Sequence, residues 1–584
     1  MDIKIKRRFN EKELPDMQSV MADAKKIASG VSISETLFMK KHGVKSEGEY
    51  KRNMMKAGKL MKHTHIGWND WHTTEQGFKK IYQELIDAGS FIDRFGVCLD
   101  WVMGVPEKYR DKFQVGGGLI FKTPEEWNAI GQVVPVQPHL GDHMIGSLNA
   151  VDNTVNGLRA GVTTIGNLAH YYTYEYPDMD MELYRTEDYM KAIAIMTHFK
   201  DDGAIIHSNL DDGYGAQFHD LANLVGWARL ERYIAEDLLG ARVCHCYGNL
   251  FSDSMLRIVF NRAMAMLDKH GTPGSFVNGN TIDYGMDIPR NFGALSAYSL
   301  ADIIGQMKYP TGYAIAPVPL TEAMRVPSGS EIVEAHHTVD MMIEKAPYYE
   351  KFINWDKIHS EAEILVTGGN AFFERVINAL DDLGVDTHHA GQVAGVLKAI
   401  GAEQLEVAFG AGLSDKNAMR GRVPVRSTSI IQTISKIQNE VIAKQKFEKD
   451  NPLSGVNIVL GSTDVHEFGK EIIKNVMKRA GANVFDLGTT VSVAEIVDTL
   501  IETGSTVALI STYNGIAYSF GRDLLESLRK ANLKGTHVFM GGRLNEPIDG
   551  SDLPVDVSGK LKELGINTDN NVDTMVQSIA LFSR

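Results

Sequence analysis

VNIVLGSTDVHEFGKEIIKNVMKRAGANVFDLG, residues 456–488, is the stretch from which the rest of this chain is read. It opens with an apolar run of strand character, Val456 to Leu460, and turns through Gly461, Ser462 and Thr463. Asp464, His466 and Gly469 follow, just before a segment in which Ile472, Ile473, Val476, Met477 and Ala480 share one face at helical spacing. A strand-loop-helix unit of this kind places loop side chains at the carboxyl edge of a parallel sheet, where open α/β sheets bind ligands. A histidine two residues after an aspartate can be oriented by the carboxylate through one ring nitrogen and offer the other to a metal. The glycine three positions on lets a bulky group approach the backbone.

Downstream, further strand signals occur at FDLG (Phe485 to Gly488), VALISTYNG (Val507 to Gly515) and HVFMGGR (His537 to Arg543). Asp464-x-His466-x-x-Gly469 followed by these blocks resembles the cobalamin-binding signature of base-off, histidine-on corrinoid proteins. The resemblance implies a flavodoxin-like (Rossmann-like) cobalamin-binding domain over residues 456–584, with His466 as the lower ligand of cobalt. It also implies that Ser462, Ser511, Thr512, Gly541 and Gly542 lie along the dimethylbenzimidazole tail, beside Asp464 and Gly469 of the signature. The family's Ser-x-Leu is Ser511-Thr512-Tyr513 here, which changes the shape of the tail pocket.

Upstream, short apolar segments punctuated by glycine alternate with helix-period ones. Candidate strands end at LMKHTHIG, FGVCLDW, VVPVQPHLG, GVTTIGNLAH, AIIHSNLDD, ARVCHCYGN, GSFVNGNT and GYAIAPVPL. Eight strands spaced by helices predict an α/β fold of the (β/α)8 TIM-barrel type. The expected domains are a helical extension over 1–60, a barrel with accessory helices over 61–425, a helix and hinge over 426–455, and the cobalamin-binding domain. Polar residues stand at or beyond most strand ends: His63, His65, Asp100, His139, Asn167, His170, His207, Asn209, His245, Asn249, Asn278, Asn280 and Glu322. That face carries the active site of such barrels.

The barrel segment is similar to the catalytic subunit of glutamate mutase, most clearly at PLTEAMRVPS (Pro319 to Ser328), with support from NFGALSAYSLADI (Asn291 to Ile303) and TYEYP (Thr173 to Pro177). The resemblance implies that Glu322 binds the ribose of an adenosyl group and that Tyr174 is a substrate-site tyrosine. His139, Tyr174 and Asn209 are the candidate substrate contacts. The family grips two substrate carboxylates with arginines, whereas QPHLG presents His139 and no clear arginine follows Asp100; glutamate itself is therefore not the expected substrate. The chain thus resembles the adenosylcobalamin-dependent mutases, with 2-methyleneglutarate mutase the closest in layout as a single chain. The expected activity is a radical 1,2-rearrangement, a carbon-skeleton isomerisation of a small organic acid or amino acid.

Four rivals stand beside it. A corrinoid-dependent methyltransferase shares the signature. A pyridoxal phosphate- and B12-dependent aminomutase needs a Schiff-base lysine near Lys474 or Lys478. A metal-dependent amidohydrolase-type barrel could use His63 and His65 with His207, His245 and Asp283. A non-enzymatic corrinoid carrier needs no polar barrel mouth.

Composition narrows the setting. Sixty basic against 74 acidic residues give a formal charge of -14, which disfavours nucleic acid and anionic membrane as partners and leaves a small-molecule substrate. The 3 cysteines, Cys98, Cys244 and Cys246, are too few for a disulfide framework and suit a cytoplasmic protein. On a strand, Cys244 and Cys246 share one face and His245 takes the other, which reads as packing. No apolar run approaches the roughly 20 residues of a membrane span, and no secretory signal is expected. A homodimer or higher homo-oligomer is expected.

Overall fold

A computed structural model describes residues 14–582 apart from 175, 177–181, 252, 417, 419, 430, 433–435, 437–450, 465–466, 514, 547–553 and 569–570. Each of the eight anticipated strand segments contains a strand: β1 (His63–Ile66), β2 (Arg94–Val97), β3 (Gln137–Leu140), β4 (Thr164–Gly166), β5 (Ile205–Asn209), β6 (Val243–Cys246), β7 (Phe276–Val277) and β8 (Ala314–Ile315). β1 to β6 form one parallel sheet in chain order, and β7 pairs with β8 in parallel. Single parallel bridges link Tyr247, just past β6, to Val277, and Lys62, just before β1, to Ile315.

Local chemistry explains the crossovers. After β1, Asp70 accepts the Thr73 N–H at 2.9 Å and caps the helix Trp71–Asp87. Phe78, Ile81 and Leu85 recur at helical spacing and are buried; the Phe78 ring stacks on Phe95 of β2 at 4.6 Å.

The N-terminal helices pack on this domain. The helix Glu47–Lys56 crosses the amino ends of the strands. Glu47 Oε1 lies 2.8 Å from Arg94 Nε and 3.1 Å from Lys51 Nζ, and Lys51 donates to the carbonyls of Gly274 and Ser275 at 2.5 and 2.6 Å. All three charged side chains are buried, so each depends on the others for compensation.

The C-terminal domain holds a four-stranded parallel sheet. Its strands are β9 (Asn457–Ser462), β10 (Asn483–Asp486), β11 (Val507–Thr512) and β12 (His537–Gly542), in the order β10-β9-β11-β12. Alternation along the strands serves two cores. Val459, Ala508, Ile510 and Met540 pack with the helices Val493–Thr503 and Ala517–Lys530. Ile458, Leu460, Leu509 and Phe539 pack with the helices Glu467–Arg479 and Val572–Phe582. Strand order reverses between β9 and β11, which makes their carboxyl ends the ligand crevice of a doubly wound sheet.

The expected hinge at Asn451–Gly455 is instead a turn tied to this domain. Leu453 is fully buried in its core and donates its N–H to the Ala480 carbonyl at 2.9 Å. Most of the helix expected over Ile430 to Phe447 lies outside the described residues. Among the described residues no helix is long and apolar enough to cross a membrane.

Replacing Glu47 by Ala leaves Arg94 and Lys51 buried without an anion, and a loss of about 3–5 kcal/mol is expected in denaturant titration. Burial acts to raise the Glu47 pKa, but Arg94 and Lys51 outweigh it and hold it below the ordinary 4.5. The stabilisation is therefore complete above that value and is lost as pH falls through the depressed one. The destabilisation caused by Glu47→Ala is expected to shrink in acid.

Candidate functional site

Between the amino end and the mouth of the first domain, inward-facing side chains from alternate strands meet. His63 and His65 come from β1, His139 from β3, His207 from β5 and Phe276 from β7. His63 Nε2 and His65 Nδ1 are 3.4 Å apart, and the His139 and His207 rings lie 4.8 Å apart. His63 stacks on Phe276 at 4.3 Å and His207 at 5.6 Å. Burial, followed by the charge of Arg94, pushes His65 down to about 4; burial likewise lowers His63, His139 and His207, so all four imidazoles are neutral at physiological pH. His139 Nδ1 is 2.9 Å from the Thr164 carbonyl, which can only accept. The proton is therefore on Nδ1, and Nε2 keeps its lone pair, buried and without a hydrogen-bond partner.

Strand alternation sends Cys244 and Cys246 inward and His245 outward, where His245 Nε2 meets Glu231 at 3.1 Å against the helix Leu221–Arg232. His245, expected at the mouth, is instead a packing residue on the outer face. Asp283 accepts from Asn280. The amidohydrolase-type set is therefore not brought together. Among the described residues, the one group with metal-ligand spacing is instead Asp142, His170 and Asp212.

At the strand ends, the Asn209 side-chain oxygen accepts the Asp211 N–H at 3.0 Å and so shapes its own turn. The Tyr174 ring packs edge-on against His143 and His170, both at 4.7 Å. Burial, and after it the carboxylates Asp142, Asp464 and Asp212, raise the Tyr174 pKa well above its ordinary value. Asp464 belongs to the signature loop of the second domain, so Tyr174 lies at the seam between the domains.

Several contacts cross that seam. Arg543, just past β12, donates to the Glu322 carbonyl and lies 3.4 Å from its carboxylate. Thr489 Oγ1 donates to the Thr173 carbonyl at 3.1 Å, and Gln114 bonds Ser519. Ile472 joins the buried apolar cluster of the first domain. The carboxyl edges of the two sheets therefore face each other, with Glu322 and Tyr174 between them.

On the second domain's edge, the Asp464 carboxylate accepts the Tyr513 N–H, and Thr463 Oγ1 donates to Thr512 Oγ1 at 2.7 Å. Ser462 at the end of β9 lies opposite Ser511 of β11 in register, and Ser462, Thr463, Ser511 and Thr512 are all buried. Gly541 and Gly542 end β12 alongside them; a side chain on Gly542, with φ of 98°, would strike the Thr512 carbonyl at 2.4 Å. A Cβ on Gly469 would stand 3.7 Å from Ser511 Oγ. His466 lies outside the described residues.

Asp142, Asp212, Arg543 and Thr489 are not among the site residues expected from the sequence. The two aspartates stand just after strand ends, in HLGD and NLDD, which was the available signal.

Lys474, the aminomutase candidate, is 3.0 Å from Asp486 and also pairs with Glu471. Burial alone would lower its pKa, but Glu471 and Asp486 raise it, which keeps the amine protonated and not nucleophilic. Pyridoxal phosphate with borohydride is accordingly expected to leave Lys474 unlabelled on peptide mapping while modifying the exposed Lys478. Labelling of Lys474 would restore the aminomutase.

Residues 456–547 match the B12 binding domain family. The glutamate mutase sigma subunit of Carboxydothermus hydrogenoformans is 32% identical over 114 residues, 19% of this chain and 81% of that protein. That of Clostridium tetanomorphum is 30% identical over 112 residues, 19% of this chain and 80% of that protein. A crystal structure of a cobalamin-binding protein from Desulfitobacterium hafniense DCB-2 aligns at 19% identity and a TM-score of 0.21, covering 36% of this chain and 90% of that one. Through its C-terminal domain this chain belongs to the cobalamin-binding family that includes the glutamate mutase sigma subunits.

Proposed function

We propose that this chain is an adenosylcobalamin-dependent mutase, in which a closed (β/α)8 barrel holds a small organic acid or amino acid during a 1,2-rearrangement. The observation that carries the reading is the opposition of the two sheets' carboxyl edges, with the B12-binding crevice on one side and Glu322, Tyr174 and the histidine-lined interior on the other. The bridges Tyr247 to Val277 and Lys62 to Ile315 support the closed barrel.

The crevice suits the group in its donor set. Ser462, Ser511 and Thr512 would hold the nucleotide tail beside Gly469, and His466, with Asp464 two residues before it, would be the residue that ligates cobalt. When bound, the cofactor would supply the radical chemistry of the rearrangement.

The chain's own residues do the rest. Glu322 would accept from the ribose hydroxyls of the bound group. His139 Nε2 accepts a hydrogen bond from the substrate and orients it without adding charge. The domain seam would keep water from the substrate. Tyr174, held edge-on against His143 and His170, would bound the substrate space at the seam.

Electron paramagnetic resonance of the adenosylcobalamin-loaded chain, frozen with a substrate, is expected to show cobalt(II) coupled to an organic radical. His466→Ala is expected to abolish the imidazole nitrogen splitting of cobalt(II). A splitting that survives the substitution, or methyl transfer from methylcobalamin with no radical signal, overturns the reading.

A further inference from the structure

At the amino end of the first domain, on the face away from the cobalamin crevice, a cleft of about 350 Å³ opens below β6, β7 and β8. Cys244 of β6 lies on its wall, with Gly274 just before β7 and Tyr313 just before β8. Three helices bring cations to it. Arg232 ends the helix Leu221–Arg232, Arg262 stands on the helix Ser254–Leu267, and Lys308 ends the helix Ile288–Lys308. Small-molecule sites begin at about this size, roughly 300 Å³.

The charges in the cleft do not balance. Arg232 Nη1 is held by Glu236 at 2.9 Å and by Asp268, which also lines the cleft, at 3.3 Å. Arg262 has no such partner: its Nε donates to His359 Nδ1 at 3.4 Å, and among the described residues no carboxylate pairs with it. Glu363 meets the other nitrogen of that imidazole at 3.5 Å and does not reach the guanidinium. Lys308 is exposed, lies over the Trp355 ring at 5.4 Å, and is likewise unpaired among the described residues. Two positive charges therefore stand uncompensated at one opening of a chain whose formal charge is -14. Cations gathered in a concavity raise the local concentration of anions.

The guanidinium is also shaped for one kind of ligand. Arg262 lies over the Tyr309 ring, 4.5 Å from its centroid, and Tyr309 in turn meets Trp355 at 5.5 Å. With an aromatic ring beneath it and its Nε used, the group keeps its Nη N–H donors for a two-oxygen acceptor. Arg232 Nε and Thr272 Oγ1, both buried in residues that line the cleft, have no hydrogen-bond partner among the described residues. Buried polar atoms are rarely left so. Met55, Met264, Ala265 and Pro310 add an apolar wall. An inorganic ion leaves that wall wet, whereas an oxyanion on a compact apolar body covers it.

We infer that this cleft binds a small organic anion, its carboxylate or phosphate held by Arg262 and Lys308 and its carbon body against Met55, Met264 and Pro310. The chemistry of parallel sheets collects at their carboxyl ends, so an occupant of the amino end is an effector and not the reactant. The cleft is built from the first domain alone, and the inference does not depend on the proposed function.

The test is calorimetric titration of the full chain, at low ionic strength, with phenyl phosphate, benzoate, inorganic phosphate and benzylammonium. Saturable binding of phenyl phosphate or benzoate at one site is expected, tighter than that of inorganic phosphate, with no binding of benzylammonium. Arg262→Gln is expected to weaken it at least about tenfold. Lys308→Gln is expected to weaken it about threefold, and Lys534→Gln, which removes an exposed cation of the second domain, to leave it unchanged. Lys308 is exposed, so Lys308→Gln carries the test should Arg262→Gln fail to fold. No saturable binding of either aromatic anion, inorganic phosphate bound as tightly as both, preference for benzylammonium, or affinity that Lys308→Gln and Lys534→Gln change alike overturns the inference.

Discussion

The chemistry proposed here depends on Arg543 reaching across a domain boundary to Glu322. Parallel sheets collect loop side chains at their carboxyl edges, so a chain with two such sheets has two reactive edges and must place them face to face or apart. Arg543, Thr489 and Ile472 place them face to face. Arg543 and Thr489 make two of those contacts from the loops that follow β12 and β10. The same elements that shape the crevice therefore set its position over the other domain.

Charge is graded along the axis of the first domain. At the amino end, Glu47, Arg94 and Lys51 form a compensated buried cluster. Above it the histidines are neutral because burial outweighs protonation. At the mouth the balance turns acidic, with Asp142, Asp212 and Glu322, and with Asp211, which burial pushes up to about 7. That polarity is opposite to the arginine-rich mouth that a dicarboxylate requires.

Much of this was legible in residue order. The eight strand segments declared themselves by apolar runs broken by glycine, and the loop of Asp464 and Gly469 by its position between strand and helix. Alternation alone separated Cys244 and Cys246 from His245. Long-range meetings were not legible. Glu322 and Arg543 are 221 residues apart, and nothing in either neighbourhood names the other. Asp142 and Asp212 lie in loops, where no periodicity sets the direction of a side chain. The turn at Asn451–Gly455 has the composition of a hinge, but one apolar residue, Leu453, is enough to bind it into a core.

The helix Glu47–Lys56 also constrains how the chain is made. Lys51 ends on the carbonyls of Gly274 and Ser275, 223 and 224 residues further along. During synthesis the helix therefore emerges long before its acceptors exist, and its charged face waits in water until β7 leaves the ribosome. A nascent chain stopped short of residue 274 holds an ammonium with no place to go. The first domain is thus completed by its earliest segment and its seventh strand together, and partial products lack the floor on which the histidine layer rests.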